Sequence, residues 1–173
     1  MYLQAWTKEW AELVPDIKSA GGSIATVTSQ LDDINYAQAW KMDLTDYPVH
    51  HDPANVFASY FGIATDANMA TQRPGYKEGG EMVQPACMVV DSNGNEIYSW
   101  RLVPSPENLG GAIDRPVPAE VWARVQAVLA GADRSSLPAV SIDKQEEIVK
   151  ALVAKMPPMA KALQAAGRLP AKL

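Results

Sequence analysis

The chain has one cysteine and two histidines in 173 residues. A single thiol excludes an internal disulfide framework and any Cys-x-x-Cys redox or zinc site, and two histidines leave little material for a transition-metal centre. Neither a metal nor a cofactor is expected. Basic residues are also scarce: fifteen Lys and Arg stand against twenty Asp and Glu, a net charge of -5. A phosphate backbone needs a basic face, so nucleic acid is not an expected partner. No apolar run approaches the ~20 residues of a membrane span, and the opening MYLQAWTKEWAELV is amphipathic rather than signal-like. The expectation is a soluble protein of a reducing compartment, the cytoplasm, without a membrane partner. Hydrophobic residues at 47% and charged residues at 20% describe a chain able to bury a core.

Periodicity supplies the first elements. Leu3, Trp6, Trp10, Leu13 and Ile17 fall on one helical face, so a helix is predicted over 2–20, kinked or broken near Leu13 by Pro15 and closed by Gly21-Gly22. Ser23–Ser29 is a β-branched run and reads as a strand, and Asp32–Asp43 reads as a helix. In YPVHHDPANVFASYFGI (47–63) an extended stretch meets Asp52-Pro53, a helix N-cap followed by proline at the first helical position, and Gly62 ends the helix. Asp66–Glu81 is a long polar loop. Pro85–Leu102 is a hairpin: PACMVV is a continuous apolar strand expected to be buried on both faces, Asn93-Gly94 is the tip, and EIYSWRL alternates. Ser105–Pro118 is a further loop, and Ala119–Leu129 a helix closed by Gly131. Beyond Ala132 a helix over 142–156 and a short one over 159–166 are predicted, with no strand. The division is a domain over 1–131 and a helical C-terminal extension over 132–173.

A helix, strand, helix, extended segment and helix, followed by a hairpin and a closing helix, suggest an α/β mixed sheet of the thioredoxin type, flanked by helices. Three segments carry a resemblance in the same direction. YPVHHDPANVFASYFGI, QPACMVVDSNGNEIYSW and NLGGAIDRP, in this order, resemble peroxiredoxin-like proteins of the alkyl hydroperoxide reductase/thiol-specific antioxidant (AhpC/TSA) family, over roughly Tyr2 to Gly131. In that family the first helix follows a central strand and a loop bearing the peroxidatic cysteine. Here the chain opens inside that helix, so the resemblance implies a relative without the redox cysteine and with a gap in mid-sheet. A second copy donating a segment, a rearranged sheet, or a longer natural chain would each fill it. The implied behaviour is binding of an apolar small molecule or of a protein, as a homo-oligomer. The competing reading is a thiol-dependent hydroperoxide reductase, or a non-redox enzyme in the vacated pocket.

The candidate residues follow. Cys87 is the candidate catalytic thiol; its other reading is a core cysteine, made inert by an apolar site that raises its pKa. Pro85 matches, by resemblance, the proline that is cis in thioredoxin-like folds, and cis is expected at Gln84-Pro85. His50 and His51 are adjacent strand residues, so they point to opposite faces and cannot easily share an ion. Arg101 is placed by the resemblance near the active-site side, and Arg73 lies in the long loop. His50, Tyr76, Arg73, Arg101 and Pro85 are the candidate binding residues. Trp6 and Trp10 are expected to form an uncovered aromatic patch, the mark of an interface.

Overall fold

The structure, a computed structural model, describes residues 2–31, 48–67, 75–105, 114–143 and 154. Two compact units divide the chain, Leu3–Ala86 and Cys87–Leu173. Both mix helix and strand, so the chain is α/β. The predicted helices over 32–43 and 159–166 lie outside the described residues.

The first unit opens with α1 (Tyr2–Ser19). Trp6, Trp10, Val14 and Ile17 form its buried stripe, and Val14 rather than Leu13 holds the third position. Pro15 does not break the helix. It sits on the exposed side, where the carbonyl that its missing N–H would have met can be hydrated. Gly21, at φ 78°, closes the helix: Gly22 N–H bonds Ile17 O and Gly21 N–H bonds Lys18 O, satisfying the last carbonyls.

The predicted strand is trimmed to β1 (Thr26–Thr28), which pairs in parallel with β2 (Val49–His51) in the register Thr26↔Val49, Val27↔His50, Thr28↔His51. Asp52 follows, and its carboxylate accepts Val56 N–H at 2.9 Å and Phe57 N–H at 2.7 Å. The helix, α2 (Val56–Tyr60), begins later than predicted, because Asn55 intervenes in the left-handed region (φ 54°) and the Asp52 cap reaches across it. The long loop is bounded by an unpredicted pair, β3 (Thr65–Asp66) against β4 (Met82–Val83), antiparallel. Past β1, Gln30 bridges Tyr76 and Leu31 N–H bonds Gly75 O at 2.7 Å, so the later part of the loop runs beside the chain that leaves β1.

The second unit is built on the predicted hairpin, β5 (Ala86–Val90) and β6 (Glu96–Arg101). Asp91 makes the turn. Gly94 N–H bonds its carbonyl, Asp91 N–H bonds Asn95 O, and its carboxylate accepts Asn93 N–H and both Asn95 N–H and Asn95 Nδ2. Gly94, at φ 82°, takes the left-handed position that a three-residue hairpin loop needs. β5 is half-buried with Val90 exposed, not buried on both faces: among the described residues it pairs with one strand only. The helix α3 (Pro118–Leu129) packs on β6, burying Val121 and Val125; Ile97, Tyr98 and Leu102 are the buried hydrophobics of the hairpin and its exit.

β7 (Arg115–Pro116) pairs with β8 (Ile142–Asp143), two strands where a loop and a helix start were expected. Val117 N–H also bonds Ser141 O, and Ser141 N–H bonds the Glu120 carboxylate. Leading into β8, Arg124 holds the intervening segment by its carbonyls: Nη1 donates to Leu137 O and Pro138 O, and Nη2 to Arg134 O. No helix among the described residues is long and apolar enough to cross a membrane.

Candidate functional site

Cys87 opens the second unit. It is half-buried, but its thiol is desolvated, and burial pushes its pKa up from 9.0 to about 12. A nucleophilic thiol needs a cation or a helix N-terminus to hold the thiolate. Here burial is the sole cause acting on it. Tyr98 on β6 is also pushed up to about 12, first by burial and then by the proximity of Cys87. The hairpin therefore presents two protonated groups at neutral pH and no thiolate.

The other nominated residues are placed as follows. The Gln84–Pro85 peptide is trans, since no cis peptide occurs among the described residues; this corrects the expected cis bond. Pro85 is half-buried just ahead of β5. Arg101 ends β6 and is committed locally, with Nη2 3.4 Å from Glu96 Oε2 and Nη1 3.3 Å from Ser99 Oγ. Glu96 is shared: Arg134 reaches its Oε1 at 3.2 Å and its backbone carbonyl at 2.6 Å. Its carboxyl is held below the usual range, chiefly by Ser99, against some desolvation and with help from Arg134 and Arg101. Arg101 and Arg134 thus share the Glu96 carboxylate. His50 is exposed on β2, while His51 Nδ1 lies 3.1 Å from Gln30 O, so the two rings diverge as the strand alternation requires. Tyr76 is half-buried beside Gln30. Arg73 lies outside the described residues. Among the described residues, no group of three or more His, Cys, Asp or Glu is placed to hold a metal ion.

Two features escaped the sequence reading. The first is a buried polar junction in the first unit. Ser29 Oγ donates to Asn55 Oδ1 at 2.6 Å and accepts Val83 N–H at 2.8 Å; Asn55 Nδ2 donates to Glu81 O at 2.9 Å. Glu81 in turn accepts Thr65 Oγ1. Ser29 and Asn55, polar yet buried, tie three segments together, and the exposed Thr65–Glu81 bond adds a fourth at the rim. Gln84 adjoins it, 3% exposed, with Nε2 meeting no acceptor. Only Ser29's place at the end of a β-branched run hinted at a buried hydroxyl. The second is where the aromatic surface lies. Trp6 and Trp10 are buried, rings edge-to-face at 6.2 Å, and form core rather than the expected patch. Among the described residues the exposed aromatics are on α2: Tyr60 is 83% and Phe57 39% exposed, both packed on Phe61.

No protein-family model, curated protein or solved structure matches the chain.

Proposed function

We propose that the chain is a peroxiredoxin-like protein of thioredoxin-type architecture that works by binding a partner rather than by thiol redox chemistry. One observation carries the functional half: the chain's single cysteine sits in a strand where burial raises its pKa to about 12. A peroxidatic cysteine must attack a hydroperoxide as thiolate, and at pH 7 this thiol is only about a hundred-thousandth ionised. The architectural half is supported by the sequence resemblance and by the order of elements: a parallel β1–β2 pair, an Asn-Gly hairpin and a closing α3. The cytoplasm, where a lone thiol stays reduced, suits this reading.

The test is hydroperoxide consumption with excess dithiothreitol, for the chain and for Cys87→Ser. Neither protein is expected to turn over. Turnover that disappears in Cys87→Ser would make the chain a thiol peroxidase and end the binding reading.

A further inference from the structure

The two strands of the hairpin differ in how their outer edges are finished. Asp91 N–H bonds Asn95 O, which fixes the antiparallel register. In that ladder residues 87 and 89 turn their backbone groups toward β6, while Ala86, Met88 and Val90 turn theirs to the opposite edge. Among the described residues, β5 has no second strand.

Natural edge strands are guarded by charged side chains, prolines, bulges or a covering element. The outer edge of β6 follows that rule. Glu96 and Arg101 bring charge to it, and Arg134 covers the Glu96 carbonyl at 2.6 Å. Among the described residues the β5 edge has none of these guards: ACMVV contains no charge and no proline, and Val90 leaves its side chain 51% exposed.

We infer that the β5 edge is the pairing surface for a second copy of this chain, β5 against β5 about a two-fold axis centred on Met88. The occupant follows from the edge. Its outward backbone groups, at 86, 88 and 90, are symmetric about Met88. An antiparallel second copy sets Met88 against Met88 and Ala86 against Val90, each pair exchanging both N–H···O bonds. A strand facing its own copy brings like side chains together, which a charged strand cannot tolerate; β5 has no charge to repel. The β6 edge would instead set its Glu96 and Arg101 beside a guanidinium already bonded across it. The result is a four-stranded sheet in the order β6–β5–β5–β6. This deepens the binding reading, since it names a partner and a place.

The experiment is native mass spectrometry and light scattering across a protein dilution series, on the chain and on Met88→Pro. Proline at 88 deletes the one N–H at the centre of the outward edge and takes nothing from the β5–β6 ladder. The expected result is twice the 18.7 kDa of one chain for the parent and a single chain for the variant, with unchanged circular dichroism. A monomeric parent at ~100 μM, well above typical dimer affinities, overturns the inference, as does a folded Met88→Pro that still dimerises. Should the variant unfold, amide exchange on the parent decides. Slow exchange at Met88 and Val90 that quickens on dilution supports the interface, and fast exchange at every concentration overturns it. A monomer without peroxide turnover refutes this interface alone, whereas a dimer with Cys87-dependent turnover refutes the non-redox reading alone.

Discussion

The state of the Cys87 thiol can be tested without knowing any substrate. A thiol raised from 9.0 to about 12 has about a thousandth of the thiolate at pH 8 that it has in the unfolded chain. The more basic thiolate is also the better nucleophile, with a Brønsted slope of about 0.4–0.5. That recovers part of the loss and leaves a native rate about 30- to 60-fold lower, before any steric shielding. The assay is reaction with an aromatic disulfide reagent, native against denatured. Its pH profile is the sharper readout: the native rate should climb tenfold per pH step beyond pH 9, where an ordinary thiol levels off. A plateau at or below pH 9, or a native rate within about threefold of the denatured one, would refute the argument. The same shift has a stability signature. The unfolded thiol ionises from 9.0 while the folded one stays protonated, so this contribution is whole below pH 9 and is lost as pH rises toward 12. The loss approaches about 4 kcal/mol, from ~1.4 kcal/mol per pH step. Cys87→Ala should flatten that alkaline limb.

Further expectations follow from the same structure. Asn55→Ala removes the bonds to Ser29 and Glu81 O and puts alanine at φ 54°, and should cost about 3 kcal/mol in denaturant titration; Asn55→Gly, which loses the same bonds without the φ penalty, should lose less. Gln84→Met deletes the buried Nε2 that meets no acceptor and should raise stability by about 1 kcal/mol, measured by thermal unfolding. The Asp91 carboxyl is held low first by the Asn95 side chain, and that of Glu96 by Ser99. A lowered folded pKa stabilises at neutral pH and is lost as pH falls through it, so the hairpin should loosen in acid, with a shallower acid limb for Asp91→Ala by amide exchange at Gly94.

Local patterns in the chain carried much of this architecture. The four-residue spacing of Trp6 and Trp10 marks α1, and Asn93-Gly94 between apolar runs marks the hairpin, because both signals act within a few residues. The start of α2 was displaced because Asp52 caps through a left-handed Asn55, a conformation that composition does not reveal. β3, β4, β7 and β8 were invisible, since strands of two residues have no period and owe their pairing to distant segments. The Ser29–Asn55–Glu81 junction joins positions 26 apart twice over, beyond the reach of any local reading. Cys87 lies in the apolar strand its neighbours predict, half-buried with a desolvated thiol, while the trans bond before Pro85 departs from what the family resemblance implied.

Arg124 grips its neighbouring segment by three carbonyl oxygens, those of residues 134, 137 and 138. Every residue type has a carbonyl, so what is recognised there is a path of the chain and not its letters. Leu137 and Pro138 should then accept many replacements with little loss of the segment's course. Position 124 should tolerate almost none, lysine included, because one ammonium cannot spread its donors as a planar guanidinium does. Saturation libraries at 124, 137 and 138 would show this as one intolerant column beside two permissive ones. Sequence freedom in the segment is thus underwritten by a single side chain on the helix next to it.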